Sequence, residues 1–206
     1  MPLASKTRRR TRRAQPRRTT LRDVIRNTAR ELFAREGYES VSMRRIAAEI
    51  GCSPMAMYRH YASKEDLLIS ICEETFGGML RLLDARREQP GTPLEKLRKC
   101  MRLIMDFHLS HPNHYKVTFM TAVPPGPTAD RKAAIAQPAM DRLRAAVREC
   151  AEAKGLDIDI ELAAHLLRTG VFGVVSTLIM APKSCQYLDP ERFKQEMIVT
   201  LSKQFE

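Results

Sequence analysis

The segment from Gly51 to Ser63, GCSPMAMYRHYAS, has room for only one very short helix, and that limit constrains the fold more than any other feature of the chain. Before it, Met43, Ile46, Ala47 and Ile50 share one face of a helix whose N-cap is Ser42. Gly51 follows the last of these apolar positions, where a glycine takes the left-handed conformation that closes a helix. Ser53-Pro54 then opens a second helix, the serine as N-cap and the proline in the first turn, running to about Tyr61. A helix of that length is unstable alone and must be held against its predecessor, the arrangement of a helix-turn-helix whose second member enters the DNA major groove. Ser63 and Asp66, in the S-x-x-D form of a capping box, start the next helix at Lys64.

The run IRNTARELFAREGYESVSMRRIAAEIGCSPMAMYRHYASKEDLL, Ile25 to Leu68, resembles the TetR family of bacterial transcriptional regulators in order and spacing. The resemblance implies an all-α fold of about nine helices. An N-terminal three-helix helix-turn-helix domain (21–68) would be followed by a C-terminal helical domain (69–206) that binds an effector and dimerises, its two last long helices pairing across the dimer. By the same resemblance Tyr58 and Lys64 match the family's usual phosphate contacts. Their chemistry agrees, since a phenol and an ammonium both donate to phosphate oxygens. The candidates for contact with double-stranded DNA are Ser42, Arg44, Ser53, Met55, Ala56, Tyr58, Arg59, His60 and Lys64. Arg45 is expected in solvent or an ion pair, and Met57 in the core with Phe33, Ile46, Ala47 and Ile50.

Charge is distributed unevenly. Residues 1–22 carry nine Lys or Arg and no acid, residues 23–68 carry seven of each sign, and the remainder holds nineteen basic against seventeen acidic. The arm 1–20, with Arg8, Arg9, Arg10, Arg12, Arg13, Arg17 and Arg18, cannot bury enough apolar surface to fold alone and reads as a disordered DNA-binding arm, or else a solubilising tail.

Helical spacing continues to the end of the chain. It predicts helices over Leu21–Glu36, from Lys64 to about Leu83, from Leu94 to Ser110, from Pro112 to about Met120, and over Ala129–Ala153 with a bend or interruption at Pro138. Two more follow, over 158–180, apolar on nearly every face, and over 190–204. Gly77-Gly78 is either a hinge or a close helix contact. Met101, Met105, Phe107, Tyr115, Phe119, Met120, Leu166, Thr169 and Phe172 are the candidates for an effector cavity or an ordinary core, the effector being small and mostly apolar or cationic-amphipathic. The C-terminal half also resembles one branch of the family through His111-Pro112, Tyr115, Phe119 and Phe172-Gly173, although it has no tryptophan and has Phe172 where that branch has histidine.

Other chemistries find little support. His108, His111 and His114 suggest a metal site, but Pro112 interrupts them and no carboxylate or thiol stands at ligand spacing. Five dispersed cysteines fit a reducing cytoplasm better than a disulfide framework. The sequence shows no phosphate cradle, nucleophile elbow, dinucleotide turn or zincin helix, and no cofactor is expected. No apolar run is counted as long enough for a bilayer, so no membrane partner is expected. The expectation is a cytoplasmic homodimeric repressor released from a palindromic operator by a small ligand. A constitutive architectural DNA-binding protein is the alternative, and an enzyme a distant third.

Overall fold

The computed structural model describes residues 19–85, 89–181 and 189–206, and among these it is helical throughout. The arm arginines Arg8 to Arg18 lie outside the described residues. The helices are α1 (Leu21–Glu36), α2 (Met43–Ile50), α3 (Pro54–Tyr58), α4 (Lys64–Asp84), α5 (Pro93–Ser110), α6 (Pro112–Tyr115), α7 (Pro127–Lys154), α8 (Ile160–Met180) and α9 (Pro190–Ser202). A single π-helical turn, Lys116–Met120, continues α6.

Side chains fix most helix starts. Thr20 and Thr92 form reciprocal capping boxes with Asp23 and Glu95, while Ser42, Ser53, Asp159 and Asp189 each accept from a first-turn backbone N–H. Ser63 caps α4 in the same way, accepting from the Asp66 N–H at 3.1 Å. The Asp66 carboxylate instead meets Arg131 of α7 at 2.7 Å. Gly51 ends α2 with φ 69° and ψ 29°, the left-handed cap that the turn requires. Pro138 does not interrupt α7, which runs on to the left-handed Gly155.

Two cores result. The first gathers Ile25, Ala29, Leu32 and Phe33 of α1, Met43, Ile46 and Ala47 of α2, Met57 of α3, and Leu67, Leu68, Ile71 and Cys72 of α4, and it also takes in Val117 from the π-turn. The second joins α5, α7, α8 and α9 around Met101, Met105, Tyr115, Val147, Leu167, Val171, Val174 and Phe205. α4 runs along both, and α7 crosses it through Arg131–Asp66 at one end and Arg142–Asp84, at 3.0 Å, at the other. Buried Lys194 of α9 pairs with Asp106 of α5 at 2.5 Å.

The expectation of no membrane-length apolar run needs correction. α8 is long and apolar enough by length and composition, with a mean hydropathy of 1.6 over its most apolar window. Yet it buries Ala163, Ala164, Leu167, Val171, Val174 and Val175 against neighbouring helices and carries Glu161 and Arg168, as a core helix does. It is also not buried all round. Leu162, Leu166, Thr169, Gly173, Thr177 and Met180, three or four residues apart, form a stripe that no element among the described residues covers.

The glycines separate two roles. A Cβ on Gly78 would lie 3.2 Å from the Phe107 ring, so this glycine allows α4 and α5 to approach closely. On Gly77 it would meet only the exposed Arg81 guanidinium at 3.3 Å, whereas on Gly170 it would fall 2.6 Å from Leu201 Cδ1. Gly77→Ala should therefore stabilise the protein by about 0.5–1 kcal/mol through helix propensity. Gly170→Ala should destabilise it by about 1–2 kcal/mol, because overpacking the α8–α9 contact outweighs the same gain. Urea denaturation of the two variants beside the parent checks both signs.

Candidate DNA interface and candidate cavity

α3 is held by one side chain and offers most of the others to solvent. Met57 is 0% exposed, while Met55 is 68% and Tyr58 51% exposed. Ser53, Arg59 and His60 are exposed with them, and Ala56 is half-buried. The hydroxyls of Ser42 and Ser53 accept from backbone N–H groups of Arg45 and Ala56, at 3.1 and 3.2 Å, which leaves each O–H proton able to donate. Arg45 is tied to Glu49 and Glu36, at 2.5 and 3.4 Å. Arg44 and Arg59 are exposed and have no carboxylate partner among the described residues, so α3 is flanked by uncompensated positive charge. Lys64 donates to the Tyr38 carbonyl at 3.0 Å and lies 4.2 Å from the centroid of the Tyr38 ring. That places the ammonium at the start of α4 with donor capacity left over.

Between α4, α5, α7 and α8, beneath the π-turn, lies a cavity of about 520 Å³, within the usual range for small-molecule sites. Its walls include Phe76 and Met79 of α4, Met101 and Ile104 of α5, Thr118 and Phe119 of the π-turn, and Leu167, Val171 and Phe172 of α8. α7 contributes Ala129, Ala133 and Ala136, side chains too small to fill the space opposite them. Every ionisable side chain in the lining is basic or a histidine: Lys132, Arg144, Arg168 and His165. Arg144 is neutralised by Glu161, at 2.6 Å, and Asp141, at 3.0 Å. Its hydrogen bonds, with that of His165, hold the Glu161 pKa down at about 2. Lys132 donates to the Thr121 carbonyl at 3.1 Å, and Arg168 has only His165, at 3.5 Å. Neither has a carboxylate partner among the described residues.

The cavity residues expected from sequence divide three ways. Met101, Phe119 and Phe172 lie in the lining. Met105 and Tyr115 are buried behind it, and Tyr115 is spoken for: its hydroxyl donates to the Phe172 carbonyl at 3.1 Å and lies 2.6 Å from Ser176 Oγ. Phe107 packs near Gly78 and stacks on His111, with ring centroids 4.9 Å apart. Met120, Leu166 and Thr169 are corrected to the exposed surface. The face of α8 turned inward is the one with Leu167, Arg168, Val171 and Phe172, and a helix apolar on both sides gives no phase from periodicity. Lys132, Arg168 and Thr118 were not singled out from the sequence; the alanine spacing of α7 was the available signal. Among the described residues no carboxylate lines the walls to receive a cation, which favours the mostly apolar effector over the cationic-amphipathic one.

The three histidines diverge. Among the described residues no group of His, Cys, Asp and Glu is placed to hold a metal, and Cys52, Cys72, Cys100 and Cys150 are unpaired, with Cys185 outside those residues. His111 Nδ1 meets the Phe107 carbonyl at 2.8 Å. His114 Nδ1 meets Thr75 Oγ1 at 3.1 Å, and Thr75 also accepts from Thr118 of the cavity wall at 3.0 Å. His108 is fully buried among Tyr115, Phe119 and Phe172, ring centroids 5.2, 5.1 and 5.8 Å away.

Residues 25–71 match the model of bacterial regulatory proteins of the tetR family, and residues 97–201 match the tetracyclin repressor-like C-terminal domain. The chain belongs to the TetR family. It is 27% identical over 174 residues to the HTH-type transcriptional regulator AcrR of Shigella flexneri, covering 79% of this chain and 80% of AcrR. In fold it is similar to FadR from Bacillus subtilis, solved in complex with stearoyl-CoA, with TM-score 0.76, 19% identity, and coverage of 87% of this chain and 96% of that one. It is likewise similar to AibR, solved in complex with isovaleryl coenzyme A and operator DNA, with TM-score 0.71, 24% identity, and coverage of 87% and 96%. As a TetR-family transcriptional regulator it has the α2–α3 unit inside the matched segment 25–71, and most of the cavity lining falls within the C-terminal match, 97–201.

Burial lowers the pKa of both His108 and His114 from 6.5 to about 4, helped by His111 beside the first and by Arg30 beside the second. The unfolded chain protonates these rings below about pH 6.5 while the folded chain resists until about 4. Their contribution to stability is therefore complete above that window and lost as pH falls through it. Urea midpoints measured from neutral pH downward should decline across this range, and His114→Gln should remove roughly one proton's worth of the slope.

Proposed function

We propose that this protein is a cytoplasmic dimeric repressor that binds a palindromic operator and leaves it when an anionic, mostly apolar ligand of the acyl-CoA kind fills the cavity. The observation that carries the ligand class is the cavity's composition: long apolar walls, no carboxylate, and the uncompensated cations Lys132 and Arg168. Acyl-CoA binding by FadR and AibR agrees with that reading, although at 19% and 24% identity their likeness speaks for the fold, and the ligand class rests on the walls themselves. The alternative, a DNA-binding protein with no effector, gives no role to two cations at the cavity, the half-buried Lys132 and the exposed Arg168, that no carboxylate among the described residues pairs.

Dimerisation is supported by the uncovered α8 stripe of Leu162, Leu166 and Met180, together with exposed Val199 of α9. Leu201 packs on Gly170 within the chain, so a charge there would injure the fold. Leu166→Glu should give a folded monomer in sedimentation. Two recognition helices in one dimer can then reach half-sites about 34 Å apart.

Selection from random DNA should return a palindrome, and anisotropy on that sequence should show release by stearoyl-CoA. Affinity should rise about fourfold per added methylene along an acyl-CoA series until the cavity is full. Lys132→Gln or Arg168→Gln should weaken binding about tenfold, the affected position marking the end that holds the head group. Tyr58→Phe and Lys64→Ala should lower DNA affinity evenly across operator variants, whereas changes at Met55 or Arg59 should alter base preference. Deleting residues 1–18 should flatten the salt dependence by about 0.9 in log–log slope per lost phosphate contact. If no acyl-CoA changes operator affinity, the effector reading fails and the constitutive one replaces it.

A further inference from the structure

His108 lies one ring behind the cavity wall. Two residues that line the cavity, Phe119 and Phe172, pack against each other with centroids 4.6 Å apart and both touch the imidazole. Tyr115 closes a third side, its centroid 5.2 Å away, and Phe107 a fourth, also at 5.2 Å. The ring is 0% exposed, yet neither Nδ1 nor Nε2 has a hydrogen-bond partner among the described residues. A buried donor and acceptor left unmatched are each costly, and an apolar ring of similar shape would fill this aromatic cage without that cost. A polar group kept there at the expense of stability points to a partner that arrives with the ligand.

We infer that His108 is the inner polar subsite of the cavity, reached when a ligand parts Phe119 from Phe172, and that it takes a neutral hydrogen-bonding oxygen, a hydroxyl or carbonyl, carried on the ligand's apolar chain. This rests on the anionic-amphiphile reading above and narrows it to oxygenated chains. The subsite is neutral because burial keeps the imidazole unprotonated at physiological pH, its pKa being lowered to about 4. It therefore reads a dipole, while the anionic head is left to Lys132 or Arg168. A neutral imidazole offers one N–H and one lone pair, so a hydroxyl can be received at either nitrogen. The position of Phe119 on a π-helical turn fits this role. Such turns hold one residue more than an α-turn and occur often at functional sites, where they offer a local register that can change without unwinding the helix.

The test uses the full chain with dodecanoyl-CoA and a set of its monohydroxylated isomers, from the 3-hydroxy to the 12-hydroxy compound, titrated calorimetrically against the parent, His108→Phe and His108→Leu. At least one hydroxylated isomer should bind the parent as tightly as dodecanoyl-CoA or more tightly, and should lose about tenfold against dodecanoyl-CoA in both variants. Without ligand, the variant that fits the cage better should melt about 2–4 °C above the parent. The imidazole 15N resonances of His108 should shift on binding of the favoured isomer and not on binding of dodecanoyl-CoA. If the ratios of every isomer to dodecanoyl-CoA are the same in the parent and both variants, the subsite is refuted while the acyl-CoA reading survives. If both variants melt below the parent, His108 is a structural histidine and the inference falls. If no thioester binds the parent at all, the acyl-CoA reading itself is wrong and the subsite goes with it.

Discussion

The contact on which the rest of the molecule depends is made by the five residues of the π-turn. Val117 is fully inside the core shared by α1, α2, α3 and α4, whereas Tyr115 and Phe119, two residues to either side, belong to the core of α5, α7, α8 and α9. Thr118 between them donates to Thr75 of α4, which donates in turn to the Ile71 carbonyl. Next to Thr75 on α4, Glu74 holds Arg26 and Arg30 of α1, both at 3.0 Å. Close-packed cores respond to displacement by shifting as units. Covalent continuity thus links Phe119 in the cavity wall to Val117 in the core of α1–α4, and hydrogen bonds link its neighbour Thr118 to α4.

The cavity is a local exception in otherwise tight packing. Elsewhere the helices approach until only glycine fits: Gly170 under Leu201 and Gly78 under Phe107. Opposite the π-turn, by contrast, α7 places alanine after alanine and leaves the space between α4 and α8 unfilled. A void of that size lined by methyls and rings forfeits contacts that larger side chains would restore. The same face of α7 carries Lys132 and Arg144, twelve residues apart and so about 18 Å along the helix axis. Charge thus lies toward the ends of a long apolar channel, and the polarity behind its wall is neutral, from His108 and Thr118.

How much of this was legible in the sequence depends on whether the signal was local. Caps at Ser42, Ser53 and Ser63, the left-handed Gly51, and Met57 as the core anchor of α3 could all be read, because each is decided by a residue and its immediate neighbours. The inward face of α8 could not, since apolar residues on both sides erase the phase that periodicity supplies. The π-turn was also hidden, because one extra residue in a turn leaves no compositional mark; the stretch from Pro112 reads as one short helix. Nothing in the sequence marks Lys132 and Arg168 among the chain's many cations. Their significance lies in what is missing around them, and only the fold shows which carboxylates are out of reach.

The energetics of the proposed switch set a lower bound on the ligand. Parting an aromatic pair such as Phe119 and Phe172 costs on the order of 0.5–1.5 kcal/mol beyond area terms, while a buried methylene returns about 0.8. One or two methylenes therefore offset the opening of the cage. Turning a population from almost wholly operator-competent to almost wholly incompetent needs a differential affinity of about 5.5 kcal/mol, the worth of roughly seven more methylenes. Methylenes count toward that difference only where they are buried in the operator-incompetent state alone, so on the proposed reading a short acyl group would occupy the cavity and still leave the operator bound. A chain long enough to run from a terminal cation past the Phe119–Phe172 pair has the apolar surface to do both, and a hydroxyl received by His108 would reduce the length required.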